Sequence, residues 1–137
     1  MYNQTWVGVQ HDDSVVVQVK ACSNAHILLS EVFGETANIY EIALGVEDNK
    51  VSEIRQTVGG LGYTVAWTSD ILSCDEFRTF WFMWVDGIGL DVGRGSTVGS
   101  ERFMRFVDLK GKDINAVSFS TGSGSTGQFR ISNVGGE

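Results

Sequence analysis

The residues of this 137-residue chain that could do chemistry are poorly grouped for catalysis. There are two histidines, His11 in a polar turn and His26 near a strand start, and no Ser-His-Asp or Cys-His arrangement follows from their spacing. Carboxylates pair at Asp12-Asp13, Glu47-Asp48 and Asp75-Glu76. Adjacent acids on a strand point to opposite faces, and in turns they are solvated, so none of these pairs reads as an acid and a base sharing one substrate. Glu47, Asp48 and Asn49 offer the hard oxygen ligands that calcium accepts, but three neighbours do not complete its shell. The expectation is a chain with no catalytic residue, no resident metal and no cofactor.

Recognition chemistry is better represented. Saccharides are held by an aromatic face under their C–H patches and by carboxylate, amide and guanidinium groups that make paired hydrogen bonds to hydroxyls. Trp84 and Trp67 are the candidate platforms, with Asp48, Asn49, Asp91, Arg55 and Arg94 as polar partners. The competing reading of each is structural: core tryptophans, an arginine paired with a nearby acid, an outward strand aspartate. Cys22 and Cys74 form no CxxC motif and have no histidine at ligand spacing. Their positions allow either one long-range disulfide or two small buried hydrophobes.

The elements that must position these groups are strands. Val15, Val17, Val19 and Ala21 alternate with Val16, Gln18 and Lys20, which predicts a strand with one buried face. Further strands are expected at 5–9, 25–30, 39–44, 51–56, 63–67, 102–109, 116–121 and 128–132, separated by turns such as Ser23-Asn24, Gly45–Asn49, Gly59–Gly62 and Lys110–Asp113. A helical reading of 46–56 is weakened by Gly45 and the surrounding strand pattern. The centre of the chain is a hairpin, Arg78–Val85 and Ile88–Arg94, with Asp86-Gly87 as a two-residue turn. That turn pairs Val85 with Ile88, Met83 with Leu90 and Trp81 with Val92, and so predicts a buried face of Trp81, Met83, Val85, Ile88, Leu90 and Val92. Trp84, Phe82 and Phe80 would then stand on the other face.

Composition sets the bounds. The chain is long enough for one domain with a substantial core. It has 17 glycines and no proline, which favours short strands joined by glycine turns. A net charge of -7 and scattered basic residues exclude nucleic acid as a partner. No apolar run is long enough for a membrane-spanning helix, and a soluble protein is expected. The fold expected is an all-β antiparallel β-sandwich of jelly-roll or lectin-like type.

The segments ACSNAHILLS, YEIALGVEDNKVSEIR, LSCDEFRTFWFMWVDGIGLDVGRG and VSFSTGSGSTGQFR, in this order, resemble the farnesoic acid O-methyltransferase-like domain over about residues 14 to 132. The resemblance implies a compact all-β domain found in secreted and surface proteins, hence an extracellular location. Cys22 and Cys74 both lie in matching blocks, so the resemblance also favours a disulfide between them. In the last block Ser123 and Phe129 stand where the family pattern has tryptophans, which removes any indole-based role there. The family name proposes a methyltransferase, and Asp86-Gly87-Ile88-Gly89-Leu90-Asp91-Val92-Gly93 imitates a glycine-rich cofactor turn. Such a turn needs a helix after it, whereas these residues alternate like a strand. The function expected is therefore a non-catalytic, carbohydrate-binding module for a glycan or glycoconjugate. The alternative is a protein-interaction or self-assembly module forming a homo-oligomer, and the third is a methyltransferase-related enzyme.

Overall fold

The computed structural model describes residues 5–9, 12–34, 38–85, 87–122 and 126–134. Among the described residues there are eleven strands: β1 (Val7–Gly8), β2 (Ser14–Ala21), β3 (Ala25–Ser30), β4 (Ile39–Gly45), β5 (Val51–Arg55), β6 (Gly62–Trp67), β7 (Arg78–Val85), β8 (Gly89–Arg94), β9 (Arg102–Val107), β10 (Ala116–Thr121) and β11 (Gly127–Val134). They build a six-stranded sheet in the order β1-β10-β3-β4-β5-β6 and a five-stranded sheet in the order β11-β2-β7-β8-β9. Every pairing is antiparallel. The alternation that marks β2 buries Val15, Val17 and Val19 between the sheets, against Ile27 and Leu29 of β3 and Tyr40, Ile42 and Leu44 of β4. The result is the antiparallel β-sandwich expected from the strand pattern.

The stretch 46–56 is not a helix. Val46–Asn49 forms one tight turn between β4 and β5, with Glu47, Asp48 and Asn49 at φ of 53°, 61° and 63°. These three left-handed residues are held from below. The Asn49 side chain accepts from Leu72 N at 3.1 Å and donates to Leu72 O at 2.9 Å, pinning the loop that carries Ile71 and Leu72 into the core.

The central hairpin exists, but its register differs from the expected one. Val85 pairs with Gly89, Trp84 with Leu90, Met83 with Asp91, Phe82 with Val92 and Trp81 with Gly93. Three residues, 86–88, connect the strands instead of two; Asp86 lies outside the described residues. Ile88 N bonds Val85 O at 3.1 Å, and Gly87 and Gly89 take φ of +77° and +130°. One extra loop residue reverses the facing of β7 relative to β8. Phe80, Phe82 and Trp84 therefore join Leu90 and Val92 in the core, while Trp81, Met83 and Val85 turn away from it. Trp81 is nonetheless fully buried, lying over Gly93 and donating its Nε1 proton to Ser100 O at 2.7 Å. Cys22, just after β2, and Cys74, before β7, form a disulfide across a sequence separation of 52.

Candidate functional site

Alternation sends every second residue of β3, β4 and β5 away from the core, and on the six-stranded sheet these residues line up in rows. One row runs Ser120, His26, Ala43, Glu53, Val65 across β10, β3, β4, β5 and β6. The next runs Ser118, Leu28, Glu41, Arg55, Gly62. His26, Glu41, Glu53 and Arg55 thus meet on one outer face, although they come from three strands.

Half of this face is covered. Trp6 and Val58 pack over Leu28 and Ile39, Ser118 Oγ donates to Thr5 O at 2.8 Å, and Gly59 N donates to Glu41 Oε1 at 2.9 Å. Toward β5 and β6 the Arg55 and Glu53 side chains stay partly covered, 14% and 16% exposed, whereas Val65 and Trp67 of β6 stand in the open. There Trp67, opposite Val51 and one same-face step of about 7 Å from Val65, is 72% exposed.

Glu41 is the buried anchor of the polar group. Arg55 Nη1 donates to Glu41 Oε1 at 3.0 Å, and Arg55 Nε lies 3.6 Å from Glu53 Oε1, an ion pair too long to be a hydrogen bond. Burial works against the Arg55 charge, but the two flanking carboxylates outweigh it and raise its pKa, so the guanidinium is fixed as a cation. His26 Nδ1 is 4.0 Å from Glu41 Oε2. Burial lowers the pKa of this imidazole; Glu41 opposes that shift and Arg55 adds to it. Arg55 Nε and His26 Nδ1 are the two buried side-chain nitrogens without a hydrogen-bond partner among the described residues, and both face this carboxylate pair. The Arg55 guanidinium can donate to hydroxyls and the Glu53 carboxylate can accept from them, while the Trp67 indole, diagonal to Glu53 across the β5–β6 pair, meets C–H groups.

The residues singled out from the sequence divide between several places. Arg55 belongs to the outer-face group, and Trp67 stands beside it. Asp48 and Asn49 lie at the end of the same β4–β5 hairpin, Asp48 exposed and Asn49 committed to Leu72. With both amide atoms of Asn49 engaged, the Glu47-Asp48-Asn49 turn is not a free ligand set. No group of three or more His, Cys, Asp or Glu among the described residues is placed to hold a metal.

The other three stand on the five-stranded sheet. Asp91 is buried on its outer face, where Arg105 Nε and Nη2 grip it at 2.6 and 2.8 Å and Arg102 approaches to 3.7 Å. Arg94 lies over the Phe103 ring at 5.2 Å. Trp84 is 8% exposed at the rim of the core, with its Nε1 donating to Asp12 O at 3.1 Å. Its edge lines a cleft of about 400 Å³ with Asp12, Asp13, Lys112 and Asp113. His11 and Ser123 lie outside the described residues, and Phe129 stacks on Phe119 at 5.0 Å.

Sequence reasoning missed Glu41, Glu53 and His26 as members of one group. The available signal was parity: Glu41 interrupts the apolar run Ile39–Leu44 at an outward position, and Glu53 and Arg55 share a parity on β5.

Two packed antiparallel sheets with this topology define a galectin-like β-sandwich. A crystal structure of a Bacillus subtilis protein of unknown function, described as having a galectin-like fold, superposes with a TM-score of 0.61 over 93% of this chain and 72% of that one. At 8% identity, that likeness concerns the fold alone. The chain belongs to the farnesoic acid O-methyl transferase family, whose model matches residues 2–134. It is also 35% identical over 116 residues to uncharacterized protein 5 of Haliotis asinina, covering 82% of this chain. It spans 65% of the length of that relative.

Proposed function

We propose that this domain is a non-catalytic carbohydrate-binding module of an extracellular protein, and that it takes its saccharide on the β5–β6 half of the outer face. Trp67 provides the stacking platform, and Glu53 with Arg55 provides the paired acceptor and donor for ring hydroxyls. The observation that carries this reading is the exposure of Trp67 on the same face as the braced Glu41–Arg55–Glu53 group. An indole left in water beside a preorganised ion pair has no role in holding the sandwich together.

Three features support the rest of the reading. The segment that imitates a cofactor turn continues through Gly89 into β8, so its glycines serve a hairpin. The Cys22–Cys74 bridge suits an oxidising compartment. No helix among the described residues is long and apolar enough to cross a membrane. The galectin-like fold is compatible with a lectin role, but the argument rests on the side chains.

The test is a glycan array probed with the wild-type domain and with Trp67→Ala. Selective retention of one saccharide class by the wild type, lost in the variant, is expected. Retention of nothing by the wild type, or equal retention by both proteins, would overturn the proposal.

A further inference from the structure

At one end of the sandwich the core-facing rows of β7 and β8 change from apolar to charged. Phe80, Leu90 and Val92 face the core, and Arg78 and Arg94 take the next positions of the same parity on their strands. Phe80 pairs with Arg94, so Arg78, two residues before Phe80, is diagonal to Arg94. A cavity of about 90 Å³ opens there, lined by Ile71, Arg78, Thr79, Phe80 and Arg94. Ile71 and Phe80 are buried and give it an apolar floor.

The two arginines differ in what holds them. Arg78 Nε donates to Glu76 Oε2 at 2.9 Å and Nη1 to Asp70 O at 3.2 Å, which leaves Nη2. Arg94 makes no ion pair, and its side chain donates no hydrogen bond among the described residues. Its guanidinium lies over the Phe103 ring at 5.2 Å, and that ring meets Phe80 edge-on at 6.4 Å. Stacking engages the face of a guanidinium and leaves its in-plane N–H donors free. Glu101 accepts from Arg94 N through its backbone oxygen at 3.1 Å, but its carboxylate makes no ion pair with the guanidinium. Shortage of acids does not explain an unpaired arginine, because the chain has 17 Asp and Glu against 10 Lys and Arg.

We propose that Arg78 and Arg94 form a binding site for a small oxyanion, a sulfate or carboxylate group, separate from the outer face of the six-stranded sheet. Arg94 supplies a planar fork of parallel donors that matches two oxygens of one group. Arg78 supplies its remaining Nη2 donors and a second charge. With Glu76 counted against Arg78, the pair keeps one net positive charge, which a bound oxyanion neutralises. The apolar floor lowers the local dielectric and strengthens that attraction. A volume of about 90 Å³ is the room of roughly three waters at ~30 Å³ each, which suits one such group. A free ion and a group borne on a saccharide present the same oxygens, and the site does not depend on the carbohydrate reading.

Sodium sulfate titrated at constant ionic strength, with nitrogen–proton spectra of backbone amides and arginine Nε–H groups, tests the site. Saturable shifts at Arg78, Arg94 and Gly95 are expected in the wild type, and Arg94→Gln should weaken binding about tenfold. Arg102→Gln, on the outer face of the same sheet near Asp91, should leave the titration unchanged. Signals from the rest of the domain report in the same spectra that each variant is folded. Shifts that rise linearly without saturating, or saturation retained in folded Arg94→Gln, would overturn the site and leave an adventitious ion only. A glucose sulfate ester then identifies the source of the group. Tighter binding than inorganic sulfate assigns a saccharide-borne oxyanion, and equal or weaker binding assigns a free ion. Trp67→Ala should keep the sulfate titration, so the anion site and the saccharide platform stand or fall separately.

Discussion

Trp81 lies flat against Gly93, its strand partner on β8, so closely that a Cβ added at position 93 would fall 2.2 Å from the indole carbons Cε2 and Cζ2. The glycine is required by volume, because the ring occupies the place of its side chain. Gly93→Ala should cost about 1–3 kcal/mol as overpacking. Trp81→Ala should cost about 3–5 kcal/mol although the ring lies outside the inter-sheet core. Urea unfolding of both variants checks this, and a neutral Gly93→Ala would show that the indole can move aside.

The hairpin also shows what was legible in the sequence. Alternation located all but the edges of the strands, and Leu90 and Val92 were correctly placed on a buried face. The facing of β7 was not readable, because an Asp-Gly pair fits both a two-residue turn and part of a three-residue loop, and one residue of difference inverts Trp81 with Trp84. The candidate site was legible as residue types, Arg55 and Trp67, but not as a group. Glu41, His26 and Arg55 become neighbours only through the β3-β4-β5 register, which depends on loop lengths rather than on local pattern.

Reduction of the Cys22–Cys74 bridge releases a long loop in the unfolded chain. For a separation of 52 residues the loop-closure estimate is about 4 kcal/mol. Unfolding midpoints with and without reductant should differ accordingly, and the oxidised protein should weigh two protons less than the reduced one. Thiol labelling of both cysteines in the untreated protein would contradict the bridge.

Stability should fall on mild acidification through His26. Burial lowers its pKa below the ordinary 6.5, so as pH drops below 6.5 the unfolded chain takes up a proton that the folded protein resists. The slope reaches at most about 1.4 kcal/mol per pH unit for one proton and vanishes above that range. Urea midpoints at pH 7.5 and pH 5 should therefore separate more for the wild type than for His26→Gln. Equal separation in the two proteins would mean that another group carries the acid sensitivity.

The two tryptophans first considered as platforms should behave oppositely. Trp84 is 8% exposed, packed in the inter-sheet core and bonded to Asp12 O, so Trp84→Ala should cost about 3–5 kcal/mol. Its folded fraction should still retain glycan. Trp67 is 72% exposed, so Trp67→Ala should change stability by no more than about 0.5 kcal/mol. Without the indole diagonal to Glu53, that variant should lose saccharide binding while remaining folded. Unfolding curves and glycan retention measured on the same preparations separate the two effects. Loss of binding in folded Trp84→Ala, with Trp67→Ala unaffected, would move the site to the cleft between Trp84, Asp12 and Asp113 at the other end of the sandwich.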